Sequence, residues 1–205
     1  METSNNLLIT SLDSLKELNN IQKDSIINAV QKLEKKIFPK NEQMDILTEV
    51  KKRTNTLVLA LLNNSPSVEL NAISNREKEN INDKNKLKNY KKKNKSNIKH
   101  NNKIESFKIN NYTVLGYLIY SKKDSIIKFA VDPSKRNQGT GWKLLSYSLE
   151  RMTNQMPKEH KIILAVDVSR LPAQHLYTKA GFNIKEQIND YYEPGRHAFI
   201  MEYIL

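Results

Sequence analysis

Residues 131–145 read Val-Asp-Pro-Ser-Lys-Arg-Asn-Gln-Gly-Thr-Gly-Trp-Lys-Leu-Leu, a set of residue types suited to holding an anion. An apolar run from Ile126 to Val131 breaks at Pro133 and turns through a basic, glycine-spaced loop. The pattern beyond it predicts an amphipathic helix with Trp142, Leu145, Leu149 and Met152 on one face. A loop of this kind aims unpaired main-chain N–H groups at one spot, at the positive end of the helix dipole. The usual occupant is a phosphate or pyrophosphate. Gly139 and Gly141 let the backbone come close to a ligand, and Lys135 and Arg136 add positive charge. The glycine spacing differs from the dinucleotide fingerprint, and the Gly-Lys-Ser/Thr of a P-loop is missing.

Two further blocks lie downstream. Residues 169–182 follow a run of strand character and carry Ala-x-x-Leu-Tyr-x-x-x-Gly-Phe, from Ala173 to Phe182. Residues 191–201 carry Tyr-Tyr-x-x-Gly-x-x-Ala-x-x-Met. In this order, over residues 112–205, the blocks resemble the GNAT N-acetyltransferases. The Arg-x-x-Gly-x-Gly of residues 136–141 is similar to that family's acetyl-CoA motif, and the second block to its later helix. The third resembles a run near the end of members that acetylate protein N-termini.

The resemblance implies an α/β fold with a mixed central sheet and helices on both faces. The sheet's N-terminal half would be antiparallel, followed by a splayed parallel pair, Ser125–Val131 and Lys161–Val168. It implies transfer of an acetyl group from acetyl-CoA to an amine, nearest in pattern to the α-amine of a protein or peptide. Arg136, Asn137, Gln138, Gly139, Thr140, Gly141 and Trp142 would hold the pyrophosphate, mainly through amides, with Arg136 the side chain expected to help. Phe129, Ala130 and Val131 would pair with the pantetheine arm and aim an N–H at the thioester carbonyl. Arg170 stands where many members carry an asparagine that contacts the cofactor. Tyr177 is expected near the sulfur, either donating a proton to the departing thiolate or simply packing there. Tyr191 and Tyr192 would cover the substrate or close an aromatic edge. Phe38 and Pro39 would wall its first side chain or form an ordinary interhelical turn.

One position departs from the pattern. Ala165 stands where relatives carry glutamate or histidine, and alanine cannot take a proton. Asp167, on the same strand face, and His197, acting through water, are the candidate replacements; proton loss to ordered water is the third. Other readings are acetylation of a small amine or a lysine side chain, a non-catalytic acetyl-CoA-binding subunit, and a nucleic-acid-binding module.

Composition narrows the setting. Cysteine is absent, which excludes disulfides and a catalytic thiol. The four histidines, His100, His160, His175 and His197, lack ligand spacing, so no metal is expected. No apolar run is long enough to span a bilayer, and the first residues resemble neither a signal nor a transit peptide. The expected compartment is the cytoplasm. The formal net charge of +12 invites a nucleic-acid reading, yet residues 75–110 hold twelve Lys/Arg against four Asp/Glu, most of that excess. Residues 64–110, built from Asn, Lys, Ser and Glu, are expected to be a disordered insertion in a single domain spanning 1–205, with too little apolar surface to offset ordering entropy. The insertion reads as a neutral expansion or as a docking arm for RNA, a ribosome surface or an acidic protein. Its lysine runs are also compatible with nuclear import.

The elements that must position these residues follow from periodicity. Strands are expected at 7–12, 56–62, 113–120, 125–131, 161–168, 183–190 and 197–205. Helical spacing covers 15–38, with a break at Asn19-Asn20, then 43–52, 140–155 and 172–180.

Overall fold

The computed structural model describes residues 6–64, 112–157 and 160–205. The insertion at about 64–110 therefore falls outside the described residues apart from its edge, and so does the docking arm proposed for it. The chain divides into one unit of residues 1–62 with 114–205 and a second of residues 63–113. In the second, Asn64 Nδ2 donates to Thr113 Oγ1 at 2.7 Å. The first carries everything below.

Its elements in chain order are β1 (Leu7–Ser11), α1 (Asn20–Ile37), α2 (Ile46–Lys51), β2 (Asn55–Asn63), β3 (Tyr112–Ser121) and β4 (Ile126–Val131). There follow α3 (Thr140–Thr153), β5 (Lys161–Asp167), α4 (Leu171–Lys179), β6 (Asn183–Glu193) and β7 (Arg196–Ile204). Helix α1 starts later than the spacing from Leu15 suggests, because Asn19 caps it. The Asn19 side chain accepts from the Gln22 amide at 3.0 Å, and Gln22 Oε1 accepts from the Asn19 amide at 2.9 Å, a reciprocal capping box. The helix ends at Phe38, the residue before Pro39. Asp45 caps α2, which is shorter than the expected 43–52; residues 40–42 form a 3-10 turn instead.

The strands form two sheets, ordered β1-β2-β3-β4 and β5-β7-β6. The β1/β2, β3/β4, β5/β7 and β6/β7 pairs are all antiparallel. Strands β2 and β3 are buried on both faces. Val58, Ala60, Leu118 and Tyr120 join Leu144, Leu145, Leu149 and Met152 of α3 in the main core. Leu57, Leu59 and Tyr117 alternate to the other face. There the Tyr117 hydroxyl donates to Glu34 of α1.

The parallel contact expected between β4 and β5 shrinks to one bridge, Ser125 with Ile163, and the Ile163 amide donates to the Asp124 carbonyl at 2.8 Å. Just beyond it the β3/β4 register slips: Ile119 faces Lys128 while Tyr120 faces Ile126. Ile127 is thus an extra residue on β4, and a bulge of this kind bends its strand. From there on, β4 has a ladder on its β3 edge alone.

Gly116 of β3, opposite Val131, lies against this strand. A Cβ on it would stand 2.8 Å from the Ala130 carbonyl oxygen and 3.0 Å from Leu144 Cδ1. Gly116→Ala is expected to lower stability by about 1–3 kcal/mol, read as a lower urea midpoint for the full chain. An unchanged midpoint would mean that β3, β4 and α3 have slack that this packing denies them.

Candidate active site

The open edge of β4 has a defined chemistry. The Asp132 amide donates to the Leu115 carbonyl at 2.8 Å, so these two form a hydrogen-bonded pair across β3 and β4. Antiparallel pairing alternates, so Ala130 also points its main chain at β3, while Phe129 and Val131 point theirs at the side where β5 has diverged. The sequence expectation grouped Phe129, Ala130 and Val131 together. The register separates them: two amides face the gap and that of Ala130 does not.

The loop after β4 is anchored at several points. Asp132 takes Lys36 Nζ at 2.8 Å and the Ser134 amide and hydroxyl at 2.9 and 2.8 Å. The lysine, with Ser134, holds its carboxyl down at about 2. Arg136 Nε donates to the Val131 carbonyl at 3.2 Å, folding that side chain back onto the end of β4. Asn137 and Gly139 adopt positive φ of 58° and 77°, while Gln138 reaches back to the Ser134 carbonyl. The α3 ladder begins with the Lys143 amide donating to the Gly139 carbonyl at 3.0 Å. The amides of Thr140, Gly141 and Trp142 precede that bond and point out of the helix start. Nothing stands within 4 Å of a Cβ placed on Gly139. A Cβ on Gly141 would face Leu176, Phe129 and Val131 at 3.4–3.8 Å, an apolar wall bordering the gap. This cradle fits a diphosphate followed by an extended thioester arm.

Trp142 does not share the buried face of α3. Thr140, Leu144, Leu145, Ser148, Leu149 and Met152 are buried, an arc centred near Gly141, and one residue along a helix turns about 100°. The indole is therefore exposed, with Lys179 Nζ 4.9 Å from its centroid.

Tyr177 is buried, with its ring 6.3 Å from Phe129 and 5.9 Å from Phe182. Burial pushes its phenol well above the ordinary value; the charge of nearby Arg170 acts the other way. It is a protonated donor at any physiological pH, and its hydroxyl has no hydrogen-bond partner among the described residues. The end of α4 that carries it is closed by Gly181 at φ +100°, with the Phe182 amide donating to the Tyr177 carbonyl and the Gly181 amide to Thr178.

Opposite stands an ion network of which the sequence suggested only parts. Arg196, at the start of β7, donates to Asp167 from Nε and an outer nitrogen at 3.1 and 2.6 Å. Its other outer nitrogen reaches Glu42 at 2.5 Å and Glu193 at 3.1 Å. Asp167 also accepts the Ser169 amide and hydroxyl at 2.8 and 2.6 Å. Its burial favours a raised pKa, but these bonds from Ser169 and Arg196 outweigh it and hold the carboxyl at about 2. A carboxylate so held accepts a proton less readily near neutrality than an unpaired one. His197 lies on the face of β7 opposite Arg196, and its Nδ1 accepts the Asp190 amide at 3.0 Å. It belongs to the closed end of the β6–β7 hairpin rather than to the gap.

Arg170, expected as a cofactor contact, stands at the start of α4. Its guanidinium turns to Glu42 at 3.2 Å and lies 5.3 Å from the Phe38 centroid. Phe38 is buried and has Lys128 Nζ 3.6 Å from its ring centre; Pro39 beside it is exposed. Lys128 also reaches the Glu42 carbonyl at 2.7 Å and Glu34 at 3.3 Å. Tyr191 and Tyr192 pair edge to face at 4.9 Å within β6, not in a loop, with the Arg196 guanidinium 5.1 Å from the Tyr192 ring. Burial pushes the Tyr192 phenol up to about 12. Glu34, Glu42, Lys128 and Arg196 escaped the sequence reading because each sits in a segment whose spacing signals only a helix, turn or strand. Among the described residues, no group of three or more His, Cys, Asp or Glu is gathered as a metal site, and no helix is long and apolar enough to cross a membrane.

Comparison with known proteins agrees with this geometry. The profile of the acetyltransferase (GNAT) family matches residues 74–182. An N-alpha-acetyltransferase of Sulfurisphaera tokodaii is 34% identical over 80 residues, covering 39% of this chain and 47% of that protein, so the match spans about half of the relative. The ribosomal-protein-S18-alanine N-acetyltransferase of Escherichia coli superposes with a TM-score of 0.57 at 16% identity, over 96% of this chain and 92% of that one. Arabidopsis thaliana NAA60 in complex with a bisubstrate analogue gives 0.60 at 10% identity, over 96% and 97%. At these identities the two structures speak for the fold alone. The chain belongs to the GNAT acetyltransferase family.

The Asp167 geometry has a pH signature. A carboxyl held at about 2 rather than near 3.9 stabilises the fold fully above about pH 4 and loses that contribution as pH falls towards 2. Asp167→Asn is expected to cost about 2 kcal/mol at pH 7, with the gap to wild type closing below about pH 4 in urea titrations. The neutral limb of the variant's acetyl-transfer pH profile should not move. A displaced limb would restore Asp167 as the base.

Proposed function

We propose that this GNAT-family chain transfers the acetyl group of acetyl-CoA to the α-amine of a protein or peptide. The observation that carries the reading is the continuity of features along β4. Its Lys128 end meets Phe38, the main chains of Phe129 and Val131 face the gap, and the strand runs on into the anion cradle. Donor and acceptor can thus approach one strand end from opposite sides.

In this reading the pyrophosphate rests on the amides of residues 139–142, with Arg136 bracing the loop. The pantetheine arm adds to the free edge of β4 as a strand would, and an amide of Phe129 or Val131 stabilises the developing oxyanion. The amine nitrogen bonds to the acetyl carbon as the carbon–sulfur bond breaks, and the sulfur leaves as a thiolate. Tyr177, which burial keeps protonated, stabilises that thiolate by donating a hydrogen bond to the sulfur. The amine also sheds a proton. In this reading ordered water takes that proton, since Asp167 is engaged by Arg196 and Ser169. Tyr191, Tyr192 and Phe38 enclose the first residues of the peptide. Similarity to N-alpha-acetyltransferases supports the α-amine over a small amine or lysine side chain.

CoA release should be detected with peptides bearing a free α-amine and be much weaker with polyamines, arylalkylamines or α-blocked peptides containing lysine; the reverse order would replace this substrate class. Tyr177→Phe should lower kcat roughly ten- to hundredfold with little change in acetyl-CoA affinity. Unchanged turnover would leave Tyr177 a packing residue.

A further inference from the structure

The cations around the open end of β4 differ in how fully they are engaged. Lys128 is spent on Glu34, the Glu42 carbonyl and the Phe38 ring. Arg196 gives Nε and both outer nitrogens to Asp167, Glu42 and Glu193. Arg136 is turned back onto Val131. Arg170 makes a single ion pair, one outer nitrogen to Glu42 at 3.2 Å, and 42% of its side chain remains exposed. Its Nε and second outer nitrogen have no partner among the described residues.

The base of this arginine is fixed. Arg170 caps the start of α4, its carbonyl accepts the amides of Ala173 and Gln174 at 3.0 and 3.1 Å, and its own amide donates to the Asp167 carbonyl at 2.9 Å. Its guanidinium lies 5.3 Å from the Phe38 ring centre, and its charge reaches the Tyr177 phenol. It therefore stands between the donor expected at the thioester sulfur and the apolar wall on the amine side. A preorganised guanidinium with spare donors beside an apolar ring matches a short side chain of methylenes ending in a carboxylate.

Resting on the α-amine reading above, we propose that Arg170 and Phe38 form a specificity subsite for an acidic first residue of the peptide substrate. The methylenes of that residue lie along the exposed part of the Arg170 side chain, at the rim of the buried Phe38 ring, and its carboxylate takes the unpartnered nitrogens of Arg170. Glu42 holds the guanidinium from its other edge, so the arginine is positioned before the substrate arrives. A lysine or arginine in the first position meets like charge and is disfavoured.

The test compares kcat/KM for three peptides identical except for a first residue of Glu, Gln or Lys. Wild type, Arg170→Gln and Arg170→Lys are each assayed, with acetyl-CoA affinity measured by calorimetry. Wild type should prefer Glu over Gln by roughly 10- to 100-fold and disfavour Lys further. Arg170→Gln should lose that preference through a raised KM for the Glu peptide, keeping its acetyl-CoA affinity, and Arg170→Lys should recover part of it. The same Glu-to-Gln ratio in wild type and Arg170→Gln overturns the subsite. So does an Arg170→Gln variant that binds acetyl-CoA weakly and slows all peptides alike, which would make the arginine a cofactor contact. No turnover of any peptide by wild type sinks the α-amine reading itself, a different failure from turnover without charge preference.

Discussion

The divergence of β4 from β5 is the constraint on which the rest of the site depends. A strand inside a sheet normally spends both edges on neighbours, because an unpaired main-chain group away from water is costly. Here the parallel contact stops after the Ser125–Ile163 bridge, and an extra residue at Ile127 bends β4 away. Phe129 and Val131 are left facing a gap that an extended, hydrogen-bonding arm would fill. Because β4 runs straight into the loop of residues 132–139, the edge that can take the arm and the amides that can take its diphosphate are continuous. Gly116 on one side and Gly141 on the other let β3 and α3 close on this strand without side chains in the way.

The Phe38 side of the gap is built by a different means. The segment from Phe38 to Glu42 reaches the strand ends through charge: Lys128 of β4 holds the Glu42 carbonyl, and Arg170 and Arg196 hold its carboxylate. Beneath it, Glu34 is fully buried with Tyr117, Lys128 and the Met44 amide as partners. A buried carboxylate missing even one of these would cost several kcal/mol, so the cluster locks α1 and its following turn against β3 and β4. In the proposed reading the donor side thus rests on main-chain geometry and the amine side on paired charges.

Much of this was legible in the chain itself. Arg-x-x-Gly-x-Gly after a strand, Leu-Tyr-x-x-x-Gly-Phe and the tyrosine pair carry local geometry: a positive φ at Gly139, a helix closed by Gly181, a hairpin turned at Gly195. Helix ends were less legible, since Asn19 and Asp45 act as caps through side-chain bonds that periodicity cannot register. The face of α3 was misjudged by one residue at Trp142, because two arcs of apolar residues fit the same 3.6-residue repeat. Of the charged network only Asp167 and Arg170 could be singled out, not their pairing. Glu42 and Arg196 are 154 positions apart, and Asp167 meets Arg196 only because the topology sets β7 beside β5. For the same reason the sequence raises Asp167 as a candidate base without showing its bond to Arg196.

The central claim is that main-chain amides of one bent strand and the next helix start bind acetyl-CoA together. Amide hydrogen exchange of the full chain, with and without saturating acetyl-CoA, tests it most directly. Slowed exchange is expected at Phe129 and Val131 and across residues 139–142, with Ala130 unaffected because its amide already serves β3. Binding of acetyl-CoA that leaves both segments exchanging at their unliganded rates would contradict it.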